Sequence, residues 1–304
     1  MVSNSTAYAL LVFNMALWGG SMVVARASHE LVPPLALTFW RWALSAIVLL
    51  FLVWRKLPRE LALIRTAGSA GQLFKLCCFM SAGTTLSVVA VNYTTAINAA
   101  LINGTQPALT ALVAFLFARE GLSVRQFIGV TAAFLGIMVM VSQASLAALV
   151  RLEFSVGDPI MLIAVISWAL YAVGLHRTED LPDGDVLLFI ISCVGMLIGL
   201  PLYVLEGIHA RPFEPNAGGL LAIVYLAVGS TLLAVYLWNL SIRSVGANRA
   251  AIFVNLIPVF GALFAIMFIG ERLFGYHVAG AALVFFGIFM AVRHSEAAAP
   301  TRRA

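Results

Sequence analysis

The sequence predicts an all-α integral membrane protein of ten transmembrane helices, arranged as two five-helix repeats of inverted topology. Three observations carry that prediction: a composition too apolar for water, ten hydrophobic segments of spanning length, and a pattern that returns at a constant offset. Hydrophobic residues fill 62% of the 304 positions and charged residues only 10%, and the mean hydropathy is +1.01. A soluble domain carries about 25% charged residues, so this chain needs lipid as its solvent. The net charge of +5 and pI near 9.4 do not point to nucleic acid. The basic residues stand singly between apolar runs, with no basic stripe interleaved with aromatics. Of the three cysteines, Cys77 and Cys78 are adjacent in an apolar run. That spacing suits neither a disulfide framework nor a metal, and no metal site or cofactor is implied.

A helix needs about 20 apolar residues to cross the hydrocarbon. Cuts at charge clusters and at Pro/Gly punctuation give spans at 6–26, 35–54, 70–91, 95–118, 124–143, 158–175, 185–205, 217–240, 248–269 and 275–293. Connections are short, leaving no room for a soluble domain. The first segment has no Lys or Arg before it and no small-residue cleavage site, so it reads as a span and not as a signal peptide. With a cytoplasmic N-terminus, thirteen Lys and Arg fall in the inner loops and the tail. Four fall outside (Arg26, Arg151, Arg211, Arg272), and Arg41 lies within a span. This asymmetry places both termini in the cytoplasm.

The repeat is visible in the stretches beginning at Ala96 and Gly246. An offset of 151 matches Pro107 with Pro258, Glu120 with Glu271, Gly129 with Gly280 and Gly136 with Gly287, while Trp18 matches Trp168 at 150. A five-helix unit is odd, so its second copy enters the membrane from the other side, and a site is expected near midplane between the halves. The units run over 1–145 and 155–295, followed by a cytoplasmic tail at 296–304.

The string Trp18-Gly19-Gly20-Ser21, the second-span Phe39-Trp40-Arg41, Pro107 with Glu120, and their echoes Pro258 and Glu271 together resemble the drug/metabolite transporter superfamily in its ten-helix form with two EamA-type domains. The resemblance covers nearly the whole chain. It implies a multi-pass transporter of the bacterial inner membrane that exports amino acids or related metabolites, closest to aromatic amino acid exporters of the YddG type. Other metabolites or drugs are the alternative cargo. The second half departs from the pattern at Trp168-Ala169-Leu170-Tyr171, where the first has Trp-Gly-Gly-Ser. The expected partners are the small-molecule solute and the bilayer, with no nucleic acid, and a monomer is expected to suffice.

Polar and aromatic groups that must avoid lipid supply the candidate lining. Asn14, Trp18 and Ser21 share one helix face, as do Asn103, Gln106 and Thr110 around Pro107. Ser167, Trp168 and Tyr171 line up in the sixth span, and Tyr225, Gly229, Tyr236 and Asn239 form a stripe in the eighth beside Trp238. Asn92 and Tyr93, and Asn255 before Pro258, complete the set. These residues describe a slot that holds an amphipathic solute by stacking and a few hydrogen bonds. The plainer reading is interhelical glue, at about 0.6 kcal/mol per bond, or an interfacial belt, the latter at least as good for Tyr93, Tyr225 and Trp238. Pro107 and Pro258 kink their helices and are candidate hinges. Arg41 is a candidate carboxylate contact or, on the other reading, an anchor that snorkels outward. Glu120 and Glu271 read as structural, as does Asp158-Pro159, taken as an N-cap followed by proline.

Other classes are poorly served. His29-Glu30 continues without a second zincin histidine, and no nucleophile elbow, paired aspartates or P-loop appears, which argues against an intramembrane enzyme and against ATP drive. A receptor would not require inverted halves, and a channel would use the same lining as a carrier. No carboxylate is expected near the middle of a span, so the carrier is expected to run as a facilitator or exchanger.

Overall fold

Ten apolar runs leave the backbone no partner but itself, and helices follow. The computed structural model describes residues 2–292 apart from 29, 67, 92, 95, 119–120, 122, 146, 148–154, 179–180 and 270–273. Glu120, Glu271, Asn92 and the 296–304 tail lie outside the described residues. Among those described, the chain forms helices and turns with no strand. The first half contains α1 (Asn4–Ala27), α2 (Pro34–Val53), α3 (Leu57–Thr66), α4 (Ala70–Val91), α5 (Ala96–Gly104), α6 (Gln106–Ala118) and α7 (Val124–Val141). The second contains α8 (Gly157–Arg177), α9 (Gly184–His209), α10 (Ala217–Tyr225), α11 (Ala234–Val245), α12 (Ala247–Phe253), α13 (Ile257–Ile269) and α14 (Gly275–Val292). A π-helical stretch, Leu226–Leu233, joins α10 to α11, and a 3-10 turn, Val254–Leu256, joins α12 to α13. Eight helical stretches are long and apolar enough to cross a membrane, and Gln106–Phe117 and Gly275–Ala291 are shorter apolar helices. The expected bounds agree with these helices within a few residues, with one addition. The charged link after α2 folds as α3, of which only Ile64 is buried.

Both prolines correct the expectation of a mid-helix kink. Pro107 is the second residue of α6 and Pro258 the second of α13, where proline's missing N–H costs nothing because first-turn donors have no intrahelical partner. The chain breaks just before each, at Thr105 and at Val254–Leu256. Asp158 also differs from expectation. Helix α8 begins one residue earlier, at Gly157, and the Asp158 carboxylate accepts from the Ser155 N–H at 2.8 Å and from the Thr94 hydroxyl.

Packing across the halves follows an exchange pattern. Helix α4 lies on α8 as α11 lies on α1, α6 lies on α8 as α13 lies on α1, and α2 pairs with α9 and α7 with α14. In the last pair the glycines meet crosswise: a Cβ on Gly136 would stand 2.6 Å from the Gly280 carbonyl oxygen, and one on Gly129 2.6 Å from that of Gly287. The two helices therefore run antiparallel with their backbones in contact. The α2/α9 pair is antiparallel too, with Trp42 against Gly195 at mid-length and Phe39 against Gly199. Charge fastens both of its ends. Glu206 accepts from the free N–H groups of Leu35 and Ala36 at the start of α2, at 3.0 and 2.7 Å. At the other end Lys56 reaches Asp185 at 2.5 Å and Asp183 at 3.3 Å. Its hydrogen bond to Asp185 holds the Lys56 ammonium above the ordinary lysine range.

The glycine contacts yield a stability test. Gly136→Ala forces backbone movement against Gly280 and is expected to cost about 1–3 kcal/mol. Gly207→Ala, with nothing within 4 Å of the new methyl, should be neutral or stabilising by up to about 1 kcal/mol. Thermal unfolding of the two variants in detergent, followed by loss of the monodisperse peak, checks the contrast.

Candidate functional site

Trp18 and Trp168, equivalent by the repeat, touch each other. Their rings are 5.8 Å apart at 66°. Trp238 of α11 lies 5.4 Å from Trp18, and Tyr171 stands edge-on to Trp168 at 6.3 Å. Each ring is placed by its helix. Trp18 shares a face of α1 with the buried Ala7, Leu11 and Asn14, opposite the lipid-facing Val12 and Phe13. Trp168 shares a face of α8 with Met161, Ala164 and Tyr171, and packs on Gly83 of α4, where a Cβ would come within 2.8 Å of the indole. Both indoles remain only half-buried although they point inward.

Polar groups complete the cluster. The Trp18 indole N–H donates to the Ser230 carbonyl at 3.1 Å, inside the π-helical stretch. Wide π turns of this kind change which carbonyls face a neighbour and are common at functional sites. The Tyr171 hydroxyl donates to Asn239 Oδ1 at 2.6 Å, with both side chains buried. Asn14 and Asn255 are buried with neither amide atom hydrogen-bonded, and Asn239 Nδ2 and Trp238 Nε1 have no protein partner. A buried donor or acceptor left so costs about 1–3 kcal/mol, so such groups call for an explanation beyond packing.

Other expected residues lie apart. Ser21 donates to the Trp18 carbonyl of its own helix at 2.7 Å. Asn103 donates to the Ala99 carbonyl and approaches Met161 Sδ at 3.5 Å, while Gln106 is buried at the start of α6. Among the described residues, neither hydrogen-bonds to a tryptophan. Tyr236 is 43% exposed and rests against Gly184, so it does not join the cluster. Tyr236 and Trp238, two residues apart on α11, project about 200° apart around the helix, so the face that buries Trp238 in the cluster turns Tyr236 outward. Trp238, for which a membrane belt was an equal reading, is fully buried in the cluster instead. Tyr93 is 61% exposed, as a belt residue would be. Arg41 lies half-buried on α2, its Cζ 5.3 Å from the Trp42 ring.

Two buried polar residues escaped the sequence reading. Ser81 and Thr85 of α4 are buried without hydrogen-bond partners among the described residues, on the side of the helix turned away from the Gly83 that seats Trp168. Their i, i+4 spacing was the available signal. A groove of about 470 Å³ between α6 and α7, lined by Thr105, Ala108, Phe115, Phe127 and Phe134 among others, shares no residue with the tryptophan cluster.

The cluster can stack a flat apolar body and offer amides and hydroxyls to a polar end. It contains no nucleophile paired with a base. Against known proteins, the model of the EamA-like transporter family matches residues 5–142 and again 155–293. The chain is 27% identical over 290 residues to the uncharacterized transporter YyaM of Bacillus subtilis, covering 93% of this chain and 92% of that one. It is 27% identical over 294 residues to a probable amino-acid metabolite efflux pump of Salmonella typhimurium, covering 93% of each. A solved crystal structure superposes with a TM-score of 0.77 over 96% of this chain and 98% of its own, at 18% identity, a likeness of fold alone.

The Tyr171–Asn239 bond is open to a double-mutant cycle. Tyr171→Phe strands a buried carbonyl and should cost about 1 kcal/mol, whereas Tyr171→Phe with Asn239→Leu should cost less than the two single changes added together. Melting temperatures of the four proteins in one detergent measure the coupling.

Proposed function

As a member of the EamA-like transporter family, within the drug/metabolite transporter superfamily, the chain is a multi-pass membrane transporter, and we propose that it exports amino acids, aromatic or otherwise neutral, through a slot centred on Trp18 and Trp168. The observation that carries this reading is the meeting of two repeat-equivalent indoles at the junction of the halves. An axis relating the halves passes between equivalent residues that touch, and solute sites of transporters with inverted repeats lie there. The crosswise, antiparallel glycine contacts of α7 and α14 support an axis in the membrane plane, and so ten spans with inverted halves. Trp238, Tyr171, Asn239 and Asn14 join the slot. The Salmonella typhimurium relative, named for amino-acid metabolites, supports the cargo class.

Alternating access would use the breaks. Each half has one helix interrupted near a proline, at Thr105 before Pro107 and at Val254–Leu256 before Pro258. Few backbone bonds need change there when one half rocks against the other. The Lys and Arg asymmetry supports termini on the cytoplasmic side of a bacterial inner membrane. The carboxylates described in or beside the spans (Asp158, Asp183, Asp185, Glu206) stand at helix ends. That favours a facilitator or exchanger.

Counterflow of labelled tryptophan in proteoliposomes, with excess unlabelled Trp, Phe, Tyr, Thr, Ala and one nucleotide sugar, tests the cargo. Accumulation driven by the aromatic amino acids and reduced at least tenfold in Trp168→Ala is expected. Accumulation with the nucleotide sugar alone would move the cargo to another class. In the same vesicles a protonophore should leave the rate within about twofold. Collapse of transport with the proton gradient would overturn the uncoupled reading.

A further inference from the structure

Arg41 sits seven residues into α2, about 10 Å from its first turn. A guanidinium offers five N–H donors, and none of them bonds a described residue. Nε is buried without a partner, no described carboxylate lies within ion-pair distance, and the charge rests only on the face of Trp42. A structural anchor within the protein would show its counter-group among the described residues. The carboxylate that reaches α2, Glu206, has both oxygens committed to the N–H groups of Leu35 and Ala36.

The direction of Arg41 follows from its neighbours. The lipid-facing stripe of α2 carries Trp40, Ile47 and Phe51. Leu37 and Leu44, at i−4 and i+3 from Arg41, pack with Ile223 and Leu226 of the eighth span. Ser45, at i+4, approaches the Ala227 carbonyl at 3.4 Å. Arg41 is therefore on the face of α2 turned to the π-helical stretch, the same stretch whose Ser230 carbonyl holds Trp18. Its counterpart by the repeat, Ile191, is a fully buried aliphatic residue. The packing of α2 on α9 thus does not demand a charge at this position, and only one half provides one.

We propose that Arg41 receives the carboxylate of the transported solute, with the indole cluster taking its aromatic or apolar body. The assignment rests on the exporter reading above and narrows its cargo to solutes with one free carboxylate. A guanidinium inside a span without a partner among the described residues favours an oxyanion, and guanidinium and carboxylate match as a two-pronged pair. A lipid phosphate could offer the same oxyanion, so the test separates the two sources.

Wild type, Arg41→Gln and Arg41→Lys are reconstituted in nanodiscs. Thermal stabilisation is read with tryptophan, phenylalanine and indole-3-propionate, each against its carboxamide, and counterflow is competed with the same set. The expected result is a preference of about tenfold or more for acid over amide in wild type. Arg41→Lys should keep part of that preference and Arg41→Gln should lose it. If Arg41→Gln does not give a monodisperse protein, the partial loss in Arg41→Lys, a point charge without the fork, carries the result. Arg41-dependent stabilisation by indole-3-propionate but by no amino acid would keep the site and remove the amino-acid reading. Equal action of acids and amides on wild type, or an unchanged preference in Arg41→Gln, would overturn the site while leaving amino-acid export intact. Stabilisation of wild type, but not of Arg41→Gln, by anionic lipid alone would give Arg41 to the headgroup and overturn it as well.

Discussion

Everything in this chain depends on one constraint: in hydrocarbon there is no water to satisfy a peptide group, so irregular backbone survives only where protein covers it. Among the described residues three irregular stretches interrupt the apolar helices: the break at Thr105, the 3-10 turn Val254–Leu256, and the π-helical stretch Leu226–Leu233. At the first and the last, polar groups find partners nearby. The Thr105 hydroxyl returns to the Ile102 carbonyl, that of Thr231 to Leu226, and the Ser230 carbonyl takes the Trp18 indole. The breaks and the tryptophan cluster are thus consequences of one rule. If the halves move against each other as proposed, lipid would favour deformation where protein covers the backbone.

The same rule explains what could be read from sequence. Apolar runs bounded by charge mark spans because partition into lipid depends on length and composition, so α4, α7 and α14 begin where the sequence places them. The glycines at 129, 136, 280 and 287 were visible as repeat partners, but their crosswise contact needs coordinates. The prolines marked the right positions and the wrong event. Proline suits the first turn of a helix as well as it bends a long one, and a span of unbroken hydropathy does not show which it does. The π stretch was illegible, since Leu226–Leu233 is apolar like its surroundings and carries no spacing signal. Beyond it, α11 buries Trp238 beside Trp18 and leaves Tyr236 exposed on its opposite face.

The two halves are related but not alike, and the differences gather at the slot. Where the first half has Ser21 bonding its own helix, the second has Tyr171 reaching across to Asn239. Gly20 in the first half admits the Tyr225 hydroxyl to 2.8 Å of where its Cβ would be, while the second has Leu170 at the equivalent place. One side of the junction therefore carries a phenol on α8 bonded to Asn239, and the other a glycine of α1 with the Tyr225 hydroxyl beside it. The proposed slot would thus favour an asymmetric solute in one orientation.

Orientation also follows from charge. The aromatic cluster alone would hold a flat ring either way up, because an indole face presents the same quadrupole in either direction. A single cation at Arg41, with Ile191 opposite by the repeat, removes that degeneracy. On the proposed reading it would also carry a cost between loads, since a charge within a span is unfavourable until an anion joins it. A carrier that relieves such a charge only when loaded biases its own cycle, for the halves close more readily over a neutralised site than over a bare one. Solute binding would then license the conformational change without a coupling ion, in line with the described carboxylates in or beside the spans, which stand at helix ends.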